Sequence, residues 1–308
     1  MDWTICPCEV MKYYCTLSDN RYILQGLAMY NSLRTHCRED FMLYYLCLDN
    51  DIYNKLKSLN LKYLYPEYIG DLEQKDPYLI ETKQKVDKAH YCWGLSSYYC
   101  YYLMGKKEID HILYIDSDIF FYADPKLVFD EIGDKSCGII KHRHNIVGNI
   151  DGAYNVGIIY FKNDKNGNDI CNWWREGVWY NKYPEYGTCG DQKYLEGFIP
   201  NFGEENVCVI DNIGHGAPWN FRLYVYDIYP QTGNIIWGNQ VQKLVFNHFS
   251  RIRIRDINKN WPQDIVDFTG GNYPEHTIGF QIFNLPVVYS FYTMYVATLR
   301  EINKVLLK

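Results

Sequence analysis

Positive charge is in short supply: 31 Lys and Arg stand against 37 Asp and Glu, for a net charge of −6. The broad basic field that nucleic-acid binding needs is therefore missing, and a bound phosphate would need local donors or a metal. No Gly/Ser linker, low-complexity tract or repeat of roughly 20 to 50 residues interrupts the chain, which excludes a solenoid and argues for one continuous domain. None of the 11 cysteines falls in a CxxC pair. An odd count scattered among apolar neighbours reads as reduced, mostly buried thiols. Cys6-Pro7-Cys8 has no second ligand pair at zinc spacing and is discounted as a metal site. The N-terminus, Met1-Asp2-Trp3-Thr4-Ile5-Cys6, lacks the basic region and apolar run of a secretory signal, so a cytoplasmic setting is expected.

What is present is apolar and aromatic. With 47% hydrophobic and 22% charged residues the chain can bury a sizeable core. The 31 tyrosines read as half-buried packing residues with no collective function. Thr277 to Leu299 carries no charge and is long enough to span a membrane. It includes Gln281, Asn284, Pro286, Ser290 and Thr293, however, and from Val288 its apolar side chains recur at helical spacing through Phe291, Tyr292, Tyr295, Leu299, Ile302 and Leu306. The expectation is an amphipathic C-terminal helix opened near Asn284 and Pro286, packed on the domain in preference to lying on a membrane surface as a peripheral contact. The chain thus divides into 1–280, a single α/β domain, and 281–308, the helix.

Period-2 and period-3.6 patterns alternate in the first half: strands over 11–17, 41–48, 61–64 and 111–115, helices over 21–35, 52–59 and 87–104. Such alternation implies a mostly parallel sheet covered by helices, with ligands beyond the carboxyl ends of its strands. After residue 135 strands are expected over 137–141, 156–161, 207–210 and 244–249, with helices over 168–180 and 191–196.

The strongest chemical signal is Tyr114-Ile115-Asp116-Ser117-Asp118-Ile119-Phe120-Phe121. Side chains two apart on an extended segment point the same way, so Asp116 and Asp118 offer two hard oxygens toward one point at a strand end. That suits Mg²⁺ or Mn²⁺ bridging to a diphosphate. A solvated turn is the bland alternative, which the flanking apolar runs disfavour. A phosphatase-type aspartate nucleophile normally follows the first strand, not residue 110.

The order and spacing of several short motifs resemble bacterial nucleotide-diphospho-sugar transferases related to glycosyltransferase family 8. They are Lys12 to Tyr22, Gly26-Leu27, Tyr30 to Leu33, Tyr91-Cys92-Trp93, Asp116-Ser117-Asp118, Tyr154 to Gly157, Gly190 to Leu195, Ala217 to Asn220 and Asn247-His248-Phe249. The resemblance spans roughly residues 11 to 255 and implies a GT-A fold, a Rossmann-like mixed sheet flanked by helices, with a UDP-sugar donor and Mn²⁺ (or Mg²⁺).

Carried over position by position, it makes Asp116, Asp118 and His248 the metal ligands, a set that a borderline metal accepts. Thr16, Asp19 and Tyr22 would hold the uracil and ribose, and Lys88 matches a basic donor-site position; ordinary capping and a surface lysine are their alternatives. Asn155, Asp191 and Gln192 would lie near the donor sugar, with Asp191 and Asn155 the catalytic candidates; a first-turn acid is the alternative for Asp191. The loop Gly214 to Asn220 offers Trp219 as a wall for a sugar ring. The family's Gly and Lys-Pro-Trp after the histidine are replaced by Ser250-Arg-Ile-Arg-Ile-Arg255, in which Arg251 or Arg253 could clamp phosphate. His142 and His144 read as loop residues.

The expected function is hexose transfer from a UDP-sugar to a hydroxyl of a glycan, glycolipid or protein, with retention favoured by the resemblance. A sugar-1-phosphate nucleotidyltransferase should show a Gly-rich phosphate loop after the first strand, and Leu17-Ser-Asp-Asn-Arg21 is not one. A non-catalytic nucleotide-sugar-binding protein is the other alternative, disfavoured by the intact metal trio.

Overall fold

The computed structural model describes residues 11–143, 152–187, 190–226, 233–250, 252, 257 and 286–306. In chain order its elements are β1 (Lys12–Ser18), α1 (Ile23–His36), β2 (Phe41–Cys47), α2 (Asn50–Leu59), β3 (Leu64–Tyr68), α3 (Ile69–Lys75), α4 (Pro77–Lys85), α5 (Lys88–Met104), β4 (His111–Ile115), β5 (Ile119–Phe121), α6 (Lys126–Ile132), β6 (Cys137–Lys141) and β7 (Tyr154–Lys162). There follow α7 (Lys165–Tyr180), α8 (Phe198–Phe202), β8 (Val207–Ile210), β9 (Gly214–Gly216), β10 (Val225–Tyr226), β11 (Asn234–Trp237), β12 (Gln240–His248) and α9 (Pro286–Leu306).

Seven strands form the main sheet in the order β3-β2-β1-β4-β7-β6-β8. All are parallel except β7, which runs against β4 and β6. Every residue of β4 is buried, as a strand covered by helices on both faces requires. The chain leaves β1 for β2 and β3 on one side and returns to β4 on the other, and a crevice opens at the carboxyl edge where such an order reverses. Because β7 is reversed, its first residues, not its last, lie at that edge: Ile115 pairs with Ile158, and the Asp116 N–H donates to the Gly157 carbonyl at 2.9 Å.

A second sheet, β10-β11-β12-β5 with β9 along β12, abuts this edge. Its short strand β5 pairs antiparallel with the end of β12, which sets His248 opposite Ile119. Of the stripe expected on the last helix, Tyr292, Tyr295, Leu299 and Ile302 are buried in the main core, Phe291 is buried in a smaller cluster with Tyr224, Ile235 and Leu244, and Leu306 is half-buried, so α9 packs on the domain. Among the described residues no helix is long and apolar enough to cross a membrane. The eight described cysteines are free thiols.

Helix starts follow from caps. The Asp49, Asp87 and Asp164 carboxylates each accept backbone N–H groups in the first turns of α2, α5 and α7. The strand expected over 61–64 instead begins at Leu64, because Asn60 and Tyr63 both take positive φ, 45° and 68°, and hold that segment in a turn. The helix expected over 191–196 is a 3-10 turn at Lys193–Gly197. α3 and α4, charged segments separated by Asp76-Pro77, and the short strands β9 to β11 carry too little periodic signal to be read from sequence.

Candidate functional site

The Asp116-Ser117-Asp118 turn joins the main sheet to the second one. Its Asp116 carbonyl accepts from Ile119 N–H at 3.1 Å, and Phe249 N–H donates to the Asp118 carbonyl at 2.9 Å. That rung brings His248 beside both carboxylates, with Nε2 3.0 Å from Asp118 Oδ1 and 3.5 Å from Asp116 Oδ2. One ligand atom from each of the three lies within 4.8 Å of the others. Burial pushes the Asp116 carboxyl up, and the Asp118 charge adds to this against the pull of His248 and the Tyr114 hydroxyl. Burial alone would lower the His248 imidazole; the Asp118 charge and hydrogen bond, with the Asp116 charge, outweigh it and raise the ring above its ordinary value. Two crowded carboxylates and an imidazole aimed at them form a site short of positive charge.

The supports of this trio come from distant parts of the chain. Tyr114 OH donates to Asp116 Oδ1 at 2.8 Å. A Cβ on Gly157 would stand 2.8 Å from His248 Nδ1 and 2.6 Å from Asn155 Oδ1, so the bare glycine makes room for the imidazole. Trp219 packs edge-on to both His248 and His142, with centroids at 5.3 and 4.8 Å, and its indole N–H donates to the His142 carbonyl at 2.9 Å. Trp219 therefore walls His248 directly.

Beside the trio lie the residues expected near a sugar. Asn155 Oδ1 accepts from Gly157 N–H and its amide N–H donates to Gln192 Oε1, both at 2.8 Å. Asp191 is buried, its Oδ2 accepts from Ser96 Oγ at 2.8 Å, and Trp174 donates to its backbone carbonyl at 2.9 Å. Burial pushes the Asp191 carboxyl up to about 7; the Asp116 charge adds to this and the Ser96 hydrogen bond opposes it.

At the end of β1, Asp19 Oδ2 accepts from Lys88 Nζ at 2.6 Å and from Arg21 at 2.8 and 3.0 Å, while Oδ1 caps the short turn through Arg21 N–H. Burial pushes this carboxyl up, but the two cations outweigh it and hold the pKa below the ordinary value. Thr16 is fully buried and its hydroxyl has no hydrogen-bond partner among the described residues, and Tyr22 closes the turn with its side chain half-buried. Arg251, Arg253 and His144 lie outside the described residues. Sequence reasoning missed Tyr114 and Ser96. Strand alternation puts Tyr114 on the face of Asp116, whereas no local pattern could link Ser96 to a partner 95 residues away.

A mixed seven-stranded sheet, reversed in order at β1 and β4, with an Asp-x-Asp turn and a histidine at its carboxyl edge, is the GT-A fold of nucleotide-sugar glycosyltransferases. Mouse xyloside xylosyltransferase 1 superposes with a TM-score of 0.53 at 13% identity, over 79% of this chain and 98% of that one. The galactosyltransferase LgtC, solved with donor and acceptor sugar analogs, gives 0.53 at 16% identity over 77% and 87%. GlyE of Streptococcus pneumoniae TIGR4 gives 0.50 at 15% over 93% and 64%. No family model matches the chain. The chain belongs to the family of the uncharacterized protein YfnF of Bacillus subtilis (strain 168), to which it is 32% identical over 265 residues, 80% of this chain and 83% of YfnF. YfnD of the same organism, also uncharacterized, is 27% identical over 268 residues, 83% of each chain.

Proposed function

We propose that this chain is a divalent-metal-dependent glycosyltransferase that moves a hexose from a UDP-sugar to an acceptor hydroxyl, with retention at the anomeric carbon, in glycan or lipopolysaccharide assembly. The observation that carries the reading is the convergence of Asp116, Asp118 and His248 at the carboxyl edge of a GT-A sheet, next to the buried Asp191. Two similar folds belong to proteins named as a xylosyltransferase and a galactosyltransferase, which supports sugar transfer. The UDP donor, the metal and retention rest on the resemblance to family 8.

The residues present fit a cation. Two carboxylate oxygens and an imidazole nitrogen suit Mn²⁺, or Mg²⁺ with less use of the imidazole, and His248 Nε2 already points at both carboxylates. Bound there, the cation would supply positive charge to the departing diphosphate, so that no protein acid is needed for the leaving group. The protein's own groups divide the rest of the work. Thr16, Asp19, Tyr22 and Lys88 address the nucleoside end. Asn155 and Gln192 present amides to sugar hydroxyls. Asp191, its carboxyl pushed up to about 7, can change charge near neutral pH, and its ionised form would stabilise the positive charge that grows on the sugar ring as the bond to diphosphate breaks.

The test is UDP release from a panel of UDP-sugars with and without Mn²⁺, in wild type and Asp118→Ala. One donor should be turned over with metal only, and Asp118→Ala should lose at least about a hundredfold. Absence of turnover together with absence of metal-dependent UDP binding would sink the reading in favour of a non-catalytic protein of the same fold.

A further inference from the structure

We propose that Trp93 is the acceptor platform and that the acceptor is a saccharide, whose pyranose ring lays its apolar C–H face on the indole. This rests on the glycosyltransferase reading and extends it to the second substrate.

α5 turns two rows of side chains toward the site. Lys88 and, one turn later, Cys92 face Asp19: Lys88 Nζ is 2.6 Å from Asp19 Oδ2, and the Cys92 thiol senses the charges of Lys88, Asp19 and Arg21. His90, Trp93 and Ser96, three residues apart, form the neighbouring row, in which Ser96 bonds Asp191, Trp93 lies against Gly190 and His90 pairs with Asp87. Ser96 Oγ reaches Asp191 Oδ2 at 2.8 Å, and the Trp93 indole lies so close to Gly190 that a Cβ there would stand 2.8 Å from the ring. Gly190 also holds φ at +53°, so a side chain is disfavoured twice over at the point where the loop passes the indole. The first row thus belongs to the nucleoside end of the edge and the second to the sugar end.

Depth distinguishes the two sugars. Asp191 is 7% exposed and senses the Asp116 charge, which marks the inner position where the donor sugar meets the metal trio. Trp93 lies against Gly190, the residue before Asp191, and is 40% exposed. A second substrate arriving from solvent can reach the exposed indole, whereas the carboxylate is enclosed. His90 meets the indole at 71° with centroids 4.8 Å apart, and Ser96 Oγ sits 2.6 Å from the Trp93 carbonyl, so the ring and its helix turn are supported in place. A flat, rigid apolar face with the Asp191 carboxyl one residue beyond Gly190 matches a pyranose, which pairs one C–H face with a rim of hydroxyls.

The experiment is saturation-transfer difference NMR on the full chain with UDP and Mn²⁺, using the methyl glycosides of glucose, galactose and N-acetylglucosamine as probes, with UDP affinity measured in parallel by calorimetry. Wild type should transfer saturation to one C–H face of at least one glycoside. Trp93→Ala should weaken that glycoside's affinity by about two- to tenfold, the worth of one stacked aromatic contact, and Trp93→Phe should recover part of it. UDP affinity should be unchanged in both variants. Equal glycoside signals in wild type and Trp93→Ala, no glycoside signal while UDP binds, or UDP affinity that falls in step with the glycoside signal would each overturn the proposal. Wild type that binds no UDP with any divalent cation removes the glycosyltransferase reading itself, and this inference with it.

Discussion

Asp19 and Asp191 occupy two ends of one sheet edge and expose little surface, 5% and 7%, yet their carboxyls are driven in opposite directions. Burial raises both. Asp19 meets two cations, Lys88 and Arg21, which reverse the effect and keep it a carboxylate. Asp191 meets a hydroxyl and the like charge of Asp116, which leave it near 7. Partners and the depth of protein around each carboxyl together decide the charge state. The Asp19 end is built as a fixed ion cluster, and the Asp191 end as a group able to change charge near neutral pH.

The sharpest test of this contrast is kinetic. Asp191→Asn removes the titrating group but keeps its size, and turnover should fall by about 10²- to 10⁴-fold with UDP affinity within about twofold of wild type. Asp19→Asn should do the reverse, with UDP affinity about tenfold weaker and turnover at saturating donor nearly preserved. Single-turnover rates and calorimetric UDP titrations read the two effects separately. If both variants lose turnover and binding together, the edge is one unit and the division fails.

Stability should expose the same contrast through pH. The Asp191 carboxyl is raised from about 3.9 in the unfolded chain to about 7 in the folded one. Between those values the folded state keeps a proton that the unfolded state has released. The contribution of Asp191 is thus full at low pH and is lost as pH rises through the window, by at most roughly 4 kcal/mol. Asp19 has the opposite sign: its folded pKa is lowered, so its contribution is present above the unfolded value and is lost as pH falls through the folded one. Urea midpoints measured from pH 4 to 8 should fall less steeply with pH in Asp191→Asn than in wild type, whereas Asp19→Asn should alter only the acid limb. Parallel wild-type and Asp191→Asn curves would show that Asp191 is ionised in the folded state throughout.

This contrast is only partly legible in the sequence. Asp116 and Asp118 stand out because they share a face at the end of an apolar strand, and the fold class follows from periodicity that runs over whole elements. Asp19 can be singled out by its place after β1, but its cations arrive from a turn and from α5, and only Arg21 is near in sequence. The carboxyl of Asp191 owes its state to enclosure and to Ser96, which no local pattern encodes. His248 reaches the site through a three-residue strand, β5, too short to carry a periodic signal. Side-chain chemistry at strand ends is thus readable where the element itself is, and unreadable where the partner comes from another sheet.

The smallest expected effects lie within the Asp19 cluster. Lys88 and Arg21 are mostly exposed, so Lys88→Met or Arg21→Met should cost no more than about 1 kcal/mol of stability each. Their influence on the carboxyl should be unequal. Arg21 places two donors on Asp19 Oδ2 and its backbone N–H on Oδ1, whereas Lys88 gives one contact. A ¹³C carboxyl titration should therefore show the Asp19 pKa rising more in Arg21→Met than in Lys88→Met. In the double variant burial acts unopposed by either cation, and Asp19 should titrate above the ordinary aspartate value, on the same side as Asp191. A double variant whose Asp19 stays below that value would mean that backbone N–H groups hold the charge, and the difference between the two ends would then lie in the turn and not in its cations.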